Sequence, residues 1–440
     1  MDKGTKIKIS FLAFCLIIFQ IAFFLPIPKI AAYILPSFLL FLYIVISKKK
    51  ETHTVTISFF TIIILYFIFN SFAQEDFFIS NYITAIIFNI TGVFLIFFHS
   101  HHMGRSSYAL IKKFLIFFLA IQVFIGLFQV VMIGGIDGAE GDFIQGSLQW
   151  NSFKTRDSGG FNNQIYAIAL INITLFLFKH LFKSLKWLLF LSLTVVLLTG
   201  VIHVIVCVIL SLVTASVFFL PLRAINKALI SIGVLIASIY FFLPANFYLF
   251  THYYELSQQE SAAPKIAVTY NTFNYLKKNP KVLFFGTGIG HYSSRASLVN
   301  SGAYNDNLTF LSNQSTPFKQ VVKPLWDRFR FNKARFGNST IHRPFYSMLS
   351  FFTEFGLLIS SVILYFFYKY LKQLRKRLST SASRKTKSEI YILLIMIFFN
   401  LYLGVFENYY ELPQAILPGI ILMIILNNKN KKTSLNESSI

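Results

Sequence analysis

The chain has few charged residues for its length, and this shortage excludes an ordinary soluble enzyme. Asp, Glu, Lys and Arg make up 13% of the 440 residues, against roughly 25% in a soluble globular protein. Acidic residues are the scarcest, with 17 Asp and Glu against 40 Lys and Arg. Since disordered chains are rich in charge, the same deficit excludes a protein whose main body is a disordered tail.

Cysteine is almost absent as well. Cys15 and Cys207 stand alone inside apolar runs, so neither a disulfide framework nor a zinc site can be built from them. The first apolar run is not followed by a small-residue cleavage site. We therefore expect an uncleaved first membrane span instead of a signal peptide.

Long apolar runs are what the chain has in abundance. Hydrophobic residues make up 55% of it, and 53 residues are Phe. Uncharged runs of about 20 residues recur, which predicts an all-α, multi-pass membrane protein with about twelve transmembrane helices. The predicted spans cover approximately 9–25, 30–47, 55–70, 82–98, 110–133, 164–178, 187–200, 201–220, 228–243, 344–368, 389–405 and 412–427. The run 187–220 is too long for one span, so we place a break near Thr199-Gly200.

The net charge of +23 would suggest a nucleic-acid partner if the basic residues were clustered on a soluble surface. Instead they lie mostly between apolar runs, as in Lys48-Lys49-Lys50 and the dense run 369–387. Because short cytoplasmic loops are enriched in Lys and Arg, this pattern predicts both termini in the cytoplasm. Membrane lipid is therefore the expected partner of this charge, and nucleic acid is not.

Two outward segments stand out in this topology. Residues 1–243 would hold the first nine spans, and a shorter outer loop would lie among them at about 134–163. Residues 344–427 would hold the last three spans, and the cytoplasmic tail 428–440 would follow. Between them lies a long outer loop, 244–343. A loop of this length is usually functional or disordered. It contains a predicted helix over 262–278 that ends at Asn279-Pro280.

A glycine cluster follows that helix, with Gly286, Gly288 and Gly290 at alternate positions. It lacks the Lys-Ser/Thr of a phosphate-binding P-loop, and no βαβ context surrounds it. We interpret it as a tight turn whose backbone approaches another chain segment or a ligand.

The exit of the long loop carries candidate functional residues. His342 and Arg343 stand where the chain re-enters the membrane, and Glu354 lies about 15 Å down the next helix. An intramembrane carboxylate is a candidate site residue by default. The structural alternatives are an interfacial histidine and a snorkelling arginine. Arg156, near the end of the shorter outer loop, belongs either to a turn before a helix or to a phosphate contact.

Other polar residues have simpler interpretations. His203 is the one ionisable residue in the 34-residue stretch 187–220, and a hydrogen-bonded packing role is the default for it. Tyr409 and Tyr410, with Glu407 and Glu411, are typical of an aromatic belt with outward charges at a membrane surface.

Several motifs in the long loop occur together in a known order. Lys265 begins the loop helix, Pro280 follows fifteen residues later, and the run Gly286-Thr287-Gly288-Ile289-Gly290 precedes Tyr292. The exit element His342-Arg343 comes next, about ten residues before Glu354-Phe355-Gly356.

With Arg156, Phe161 and Asn162 before an earlier span, this order resembles the O-antigen ligase and O-antigen polymerase family of bacterial membrane glycosyltransferases. The resemblance covers roughly residues 150–410. It departs from the family at Lys265, where Arg is usual, at Arg343, where Asn is usual, and at Thr199 to His203, where the family often has Ser-Arg.

The resemblance implies a fold similar to the GT-C glycosyltransferases, in the bacterial inner membrane, with a site that faces the periplasm. The donor would be a polyprenyl-pyrophosphate-linked glycan, and the acceptor another glycan or lipid A-core, in lipopolysaccharide or other surface polysaccharide synthesis. His342 would act as general base and Glu354 would be a second catalytic residue. Arg156, Lys265, Arg295 and Arg343 would bind pyrophosphate.

The chemistry that the resemblance implies needs no cofactor. Fixed cations can stabilise the leaving pyrophosphate without a metal, and the outer segments contain no acidic pair with metal-ligand spacing, so we predict metal independence. The sequence leaves open whether the acceptor is a lipid-linked repeat, lipid A-core or a protein, although the departures at the phosphate residues favour a polymerase. The alternatives outside this class are a transporter or flippase for lipid-linked glycan and an inactive scaffold.

Overall fold

The structure is a computed structural model. It describes residues 11–25, 29–46, 50–73, 76–97, 105–133, 144–148, 162–219, 264–302, 313–331, 345–381 and 383–437, with the single positions 230, 233, 237 and 343. Within these ranges the regular structure is helical throughout. The helices are α1 Phe11–Phe23, α2 Lys29–Ile46, α3 Lys50–Ala73, α4 Ile79–Phe97, α5 Arg105–Ile133, α6 Asn162–Ser184, α7 Lys186–Leu198, α8 Ile202–Phe219, α9 Pro264–Lys278, α10 Pro280–Phe285, α11 Arg295–Asn300, α12 Lys323–Phe331, α13 Ser347–Thr380, α14 Arg384–Phe406 and α15 Pro413–Glu437.

Six of these helices contain stretches long and apolar enough to cross a membrane by length and composition. They are Ile79–Ile96, Ser106–Met132, Asn162–Ser184, Ile202–Phe219, Ser347–Thr380 and Arg384–Phe406. The prediction of an all-α, multi-pass membrane protein is confirmed at this level. The count of about twelve spans stays a prediction, and the predicted span 228–243 lies almost wholly outside the described residues.

The break in the long apolar run 187–220 is where the sequence predicts it. Helix α7 ends at Leu198 and α8 begins at Ile202, and Gly200 between them has a φ of 66°. Glycine adopts this left-handed conformation without the steric cost that a Cβ brings. The two short helices can therefore reverse direction, which leaves His203 in the first turn of α8.

The centre of the bundle is formed by α6 and α14, which are buried along most of their length. Helix α6 packs against α5, α7 and α15, while α14 packs against α8, α13 and α15. Asn400 donates to the side-chain oxygen of Asn172 at 2.9 Å, a polar contact of the kind that joins helices in an apolar medium. The outer faces of the peripheral helices remain apolar and exposed.

The long loop has a hydrophobic core of its own, which we call the loop core. It is built from Val268, Tyr292, Leu298, Phe318, Val321, Val322, Trp326, Phe345 and Leu349. These residues come from α9, from the turn after α10, from α11, from a π-helical turn at Phe318–Val322, from α12 and from the chain around the start of α13. The described part of the loop is therefore a folded layer, and it rests on one end of the helix bundle.

Candidate functional site

The glycine cluster and the start of α13 pack together, backbone against backbone. Gly286, Gly288 and Gly290 have φ values of 79°, 84° and 78°. A Cβ on Gly286 would overlap the carbonyl of Glu354. A Cβ on Gly356 would likewise overlap backbone atoms at the start of the glycine turn. Gly356 itself has a φ of 69° and kinks α13. The close approach predicted for the glycines is confirmed. Gly286 approaches the Glu354 segment, Gly290 approaches the backbone of Asn81 on α4, and Gly288 faces the side chain of Asn70 on α3.

Glu354 closes this junction with its side chain. One carboxylate oxygen accepts the backbone N–H of Gly290 at 2.8 Å. The other accepts those of Tyr292 at 3.0 Å and Ser294 at 3.3 Å. Helix α13 begins at Ser347, so Glu354 is its eighth residue and lies about 11 Å from its start, closer than the sequence predicts. The carboxylate is buried, and its contacts orient the turn that follows the glycines.

A second buried carboxylate, Glu411, holds the next segment of the loop. It accepts the backbone N–H of Arg295, and the N–H of Ala296 lies 3.4 Å from the same oxygen. Ser294 caps α11 through the N–H of Ser297. Burial raises the pKa of Glu411, and the backbone donors and charge of Arg295 act in the opposite direction. The Arg295 side chain is buried and donates to the Tyr33 hydroxyl at 3.0 Å.

The segment 407–412, between α14 and α15, joins the loop to the bundle. Asn408 donates to the carbonyl of Ser293 at 2.7 Å. The Ser347 hydroxyl donates to the carbonyl of Glu407 at 3.1 Å and accepts the N–H of Tyr410 at 3.0 Å. The segment is thereby fixed between the glycine turn and the start of α13.

Three cations surround this segment, and we call Lys265, Arg295 and Arg343 the basic cluster. A guanidinium nitrogen of Arg343 lies 3.7 Å from a carboxylate oxygen of Glu407, which is fully buried. The Lys265 ammonium donates to the carbonyl of Phe345 at 3.0 Å. Burial lowers the pKa of Lys265 to about 8; the charge of Glu407 opposes this shift and that of Arg343 adds to it.

Arg295 lies against the same segment, since its backbone N–H donates to Glu411, and its charge and that of Arg343 both act on the Tyr409 hydroxyl. Glu407 lies next to the basic cluster, and Glu411 is held by Arg295 and Ala296 backbone groups. The charges of the three cations are thus partly balanced by the carboxylates of Glu407 and Glu411. Guanidinium and ammonium groups are also the groups that bind an anion with several oxygens.

The Tyr409 hydroxyl links two more polar side chains. It lies 2.6 Å from Nε2 of His203 and donates to the side-chain oxygen of Gln164 at 2.6 Å. Because the amide oxygen of Gln164 faces Tyr409, the single phenolic proton is donated to that oxygen. The His203 Nε2 must then carry a proton and donate it, which leaves Nδ1 of a neutral imidazole as an acceptor. The charges of Lys265 and Arg343 act on this ring, so His203 belongs to the same site.

His291, inside the glycine turn, has both ring nitrogens engaged. Its Nε2 accepts the backbone N–H of Phe78 at 2.8 Å, so Nδ1 carries the proton and donates to the carbonyl of Ile289 at 2.8 Å. The ring also stacks on Phe77 at a centroid distance of 5.1 Å. Burial lowers the pKa of His291. This histidine fastens the segment before α4 to the turn.

The structure thus brings together several residues that the sequence singles out separately. Lys265, Arg295 and Arg343 lie along the segment 407–412, and Glu354 meets the glycine turn. His342 and Arg156 lie outside the described residues. Whether any of these residues acts in catalysis or binding stays a prediction.

The interpretation of Tyr409 and its neighbours as an outward aromatic belt is wrong. Tyr409 and Glu407 are fully buried and Glu411 is 9% exposed. Tyr409 packs among the bundle helices, while Glu407 and Glu411 contact the long loop at Arg343 and Arg295. Sequence reasoning missed Tyr409 and Gln164 as site residues. His203 carried a signal, since it is the one ionisable residue of its apolar stretch, but nothing local indicated its partner.

The described part of the chain places no three His, Cys, Asp or Glu side chains together as a metal could require. The prediction of metal independence remains untested. Comparison with models of protein families found no match, and no curated protein or solved structure was found to be similar to the chain.

Proposed function

We propose that this multi-pass membrane protein transfers or polymerises a glycan carried on polyprenyl pyrophosphate, at the periplasmic face of the bacterial inner membrane. The observation that carries the proposal is the basic cluster, three cations placed along the buried segment 407–412 at one end of the bundle. A pyrophosphate has the charge and the oxygens to fill such a site, and the ligand's polyprenyl chain would remain in lipid.

The reaction is a displacement at the anomeric carbon of the donor. An acceptor hydroxyl attacks that carbon, its proton passes to a general base, and the bond to the pyrophosphate oxygen breaks. The leaving pyrophosphate keeps the bonding electrons. Lys265, Arg295 and Arg343 would stabilise the charge that develops on it, as fixed donors do in other enzymes. His342 is the proposed base, because histidine titrates near neutral pH.

Glu354 enters this proposal in a revised role. Its carboxylate oxygens accept three backbone N–H groups, so it positions the turn that leads to Arg295. In the proposed mechanism it acts through that turn. The catalytic role that the family resemblance implies for it stays a prediction.

The function is tested by reconstituting the purified protein with a polyprenyl-pyrophosphate-linked glycan and measuring released polyprenyl pyrophosphate. We expect Arg343→Gln to lower the rate by about 10- to 100-fold, as loss of one charged hydrogen bond does. Arg375→Gln is the matched control, because Arg375 is exposed on α13, outside the site. Equal rates in the two variants would contradict a pyrophosphate role for Arg343.

His342→Ala, tested by complementing a deletion strain, addresses the base. Unchanged length and amount of surface glycan would exclude His342 from that role. The deletion itself distinguishes the classes of reaction. Single repeats on lipid A-core indicate a polymerase, and a bare core with accumulated lipid-linked polymer indicates a ligase. Unchanged glycan with an uptake defect would favour a transporter instead.

A further inference from the structure

The loop helix α9 has an exposed apolar face that the bundle does not cover. Ile266, Tyr270 and Phe273 recur at intervals of four and three residues, and they are 61%, 67% and 63% exposed. Residues three and four apart lie on one face of a helix. The opposite face, with Val268 and Thr272 fully buried, packs on the loop core. Single exposed apolar residues are common, but a row of three large ones marks an interaction surface.

This face continues along α10 to the membrane helices. Phe284 and Phe285 are exposed on α10, which packs against α13. The ring of Phe285 lies 5.7 Å from that of Phe69 on α3, and Phe72, one turn further, is 86% exposed. Exposed apolar residues therefore occur on α9, on α10 and on the neighbouring α3.

On α13 the same surface runs into a candidate membrane span. Phe352, Leu357, Leu358 and Val362 are exposed along its first half, and such residues face lipid in a membrane helix. The α10 helix meets α13 at Gly356, about 14 Å from the start of that helix. The loop helices are therefore placed beside the first turns of a candidate membrane span.

Charge at the edge of the surface fits the same partner. Lys277 and Lys278 end α9, Lys281 begins α10, and all three are exposed. A helix with a row of large apolar residues and lysines at its border is typical of a helix that lies in the membrane interface. Lysines near a bilayer surface are attracted to anionic headgroups.

We propose that α9 and α10 dock on the lipid leaflet, with Ile266, Tyr270, Phe273 and Phe284 at the acyl boundary and the three lysines at the phosphates. The loop core would thereby be held at a fixed depth in the membrane. This inference does not depend on glycan transfer, and it would hold equally for a transporter or a scaffold.

Site-directed spin labelling of the full chain tests the docking. Tyr270→Cys and Phe273→Cys place a label on the face, and Asn271→Cys is the matched control, because Asn271 is exposed on the neighbouring side of the same helix. The native cysteines are buried, so each variant carries one reactive site. The labelled proteins are placed in nanodiscs that contain zwitterionic and anionic phospholipid.

The measured quantity is the accessibility of each label to oxygen, which concentrates in lipid, relative to a water-soluble nickel chelate. We expect this ratio to be several-fold higher at 270 and 273 than at 271. Equal ratios at the three positions would overturn the proposal, since they would place the face in water. Exclusion of both reagents from 270 and 273 would also overturn it, because a protein partner would then cover the face. Unfolding midpoints equal to that of the unsubstituted protein establish that the labels report on the native fold.

Discussion

The junction around Glu354 and the basic cluster lie at the same end of the bundle, yet they are built differently. At the junction, two backbones are in contact, and the Glu354 carboxylate accepts three N–H groups at 2.8 to 3.3 Å. In the basic cluster, long side chains face each other, and the nearest ion pair, Arg343 with Glu407, is 3.7 Å long. The Arg343 side chain is 16% exposed.

This difference indicates that the junction around Glu354 is a scaffold and that the basic cluster is the candidate binding site. A carboxylate whose oxygens are occupied by backbone donors has little capacity left for a ligand, whereas the cations of the basic cluster carry several side-chain donors each. Changes at the junction should therefore alter folding, and changes in the basic cluster should alter ligand binding. The four predictions that follow test this separation, from the largest expected effect to the smallest.

The strongest test compares two glycines of the same turn. Both Gly286→Ala and Gly288→Ala place a Cβ at a positive φ, which costs about 1–2 kcal/mol. Only at Gly286 does the Cβ also overlap backbone, namely the carbonyl of Glu354, while at Gly288 its nearest neighbour is the flexible side chain of Asn70. We expect Gly286→Ala to lower the free energy of unfolding by a further 3 kcal/mol or so.

Thermal unfolding in detergent, together with the amount of folded protein in membranes, measures this difference. Gly288→Ala serves as the control for backbone strain alone. If the two variants unfold at the same temperature, the contact between the turn and the Glu354 segment does not stabilise the fold.

In the basic cluster, the pH dependence of anion binding should follow Lys265. Its pKa of about 8 means that the ammonium loses its proton within reach of ordinary buffers. Affinity for polyprenyl pyrophosphate should then fall by about tenfold between about pH 7 and about pH 9, because the neutral amine no longer attracts phosphate. Lys265→Arg should remove most of this fall, since Arg keeps its charge.

Isothermal titration with polyprenyl pyrophosphate at the two pH values, for the original and the Arg variant, checks the prediction. The ligand's own ionisation affects both proteins equally, so the difference between them reports on Lys265. Parallel pH profiles would show that this lysine does not contact the anion.

A pair of neighbouring tyrosines tests the boundary of the site. Tyr409→Phe leaves His203 and Gln164 without their shared hydroxyl, which should cost about 1–3 kcal/mol because buried partners lose hydrogen bonds. Tyr410→Phe removes only a bond to the carbonyl of Leu401. We expect both to lower stability and only Tyr409→Phe to lower the rate of glycan transfer.

A double-mutant cycle sharpens this result. Tyr409→Phe combined with His203→Asn should be less harmful than the sum of the single changes, by 0.5 kcal/mol or so at least, because the two groups are in contact. Additive effects on unfolding free energy would argue against the hydrogen bond between them.

The smallest effect concerns the pH dependence of folding through His291. Burial lowers its pKa in the folded protein, so the unfolded chain binds a proton more readily. As pH falls below the unfolded value of about 6.5, the free energy of unfolding should therefore decrease, by at most about 1.4 kcal/mol per pH unit. Unfolding midpoints between about pH 7.5 and about pH 5.5 measure the slope. His291→Gln should reduce this dependence of the unfolding midpoint on pH. An unchanged slope in the variant would mean that other groups cause the pH dependence.

The sequence predicted several of these features because they depend on local chemistry. Uncharged runs indicated the membrane helices, Thr199-Gly200 indicated the break between α7 and α8, and Asn279-Pro280 indicated the end of α9. The alternate glycines indicated a turn in close contact with something else. In each case a single residue type imposes the outcome, so a local pattern is sufficient.

Other features depended on contacts between distant parts of the chain. The partner of the glycine turn, Glu354, is more than sixty residues away from Gly290, and the partner of His203 is Tyr409, 206 residues away. No local pattern reports such a distance. The burial of Tyr409 and Glu407 was missed for the same reason, since the groups that surround them come from distant helices and from the loop.

By itself the sequence determined that this chain is an all-α membrane protein with a long loop containing a glycine turn, because hydropathy and backbone freedom are properties of single residues. The tertiary structure decided which of its polar residues act together. Glu354 and the glycines fix the loop, and Lys265, Arg295 and Arg343 lie along the segment that contains Tyr409. The physical reason is that buried carboxylates and backbone groups must find partners, and in this fold those partners come from segments far apart in the chain.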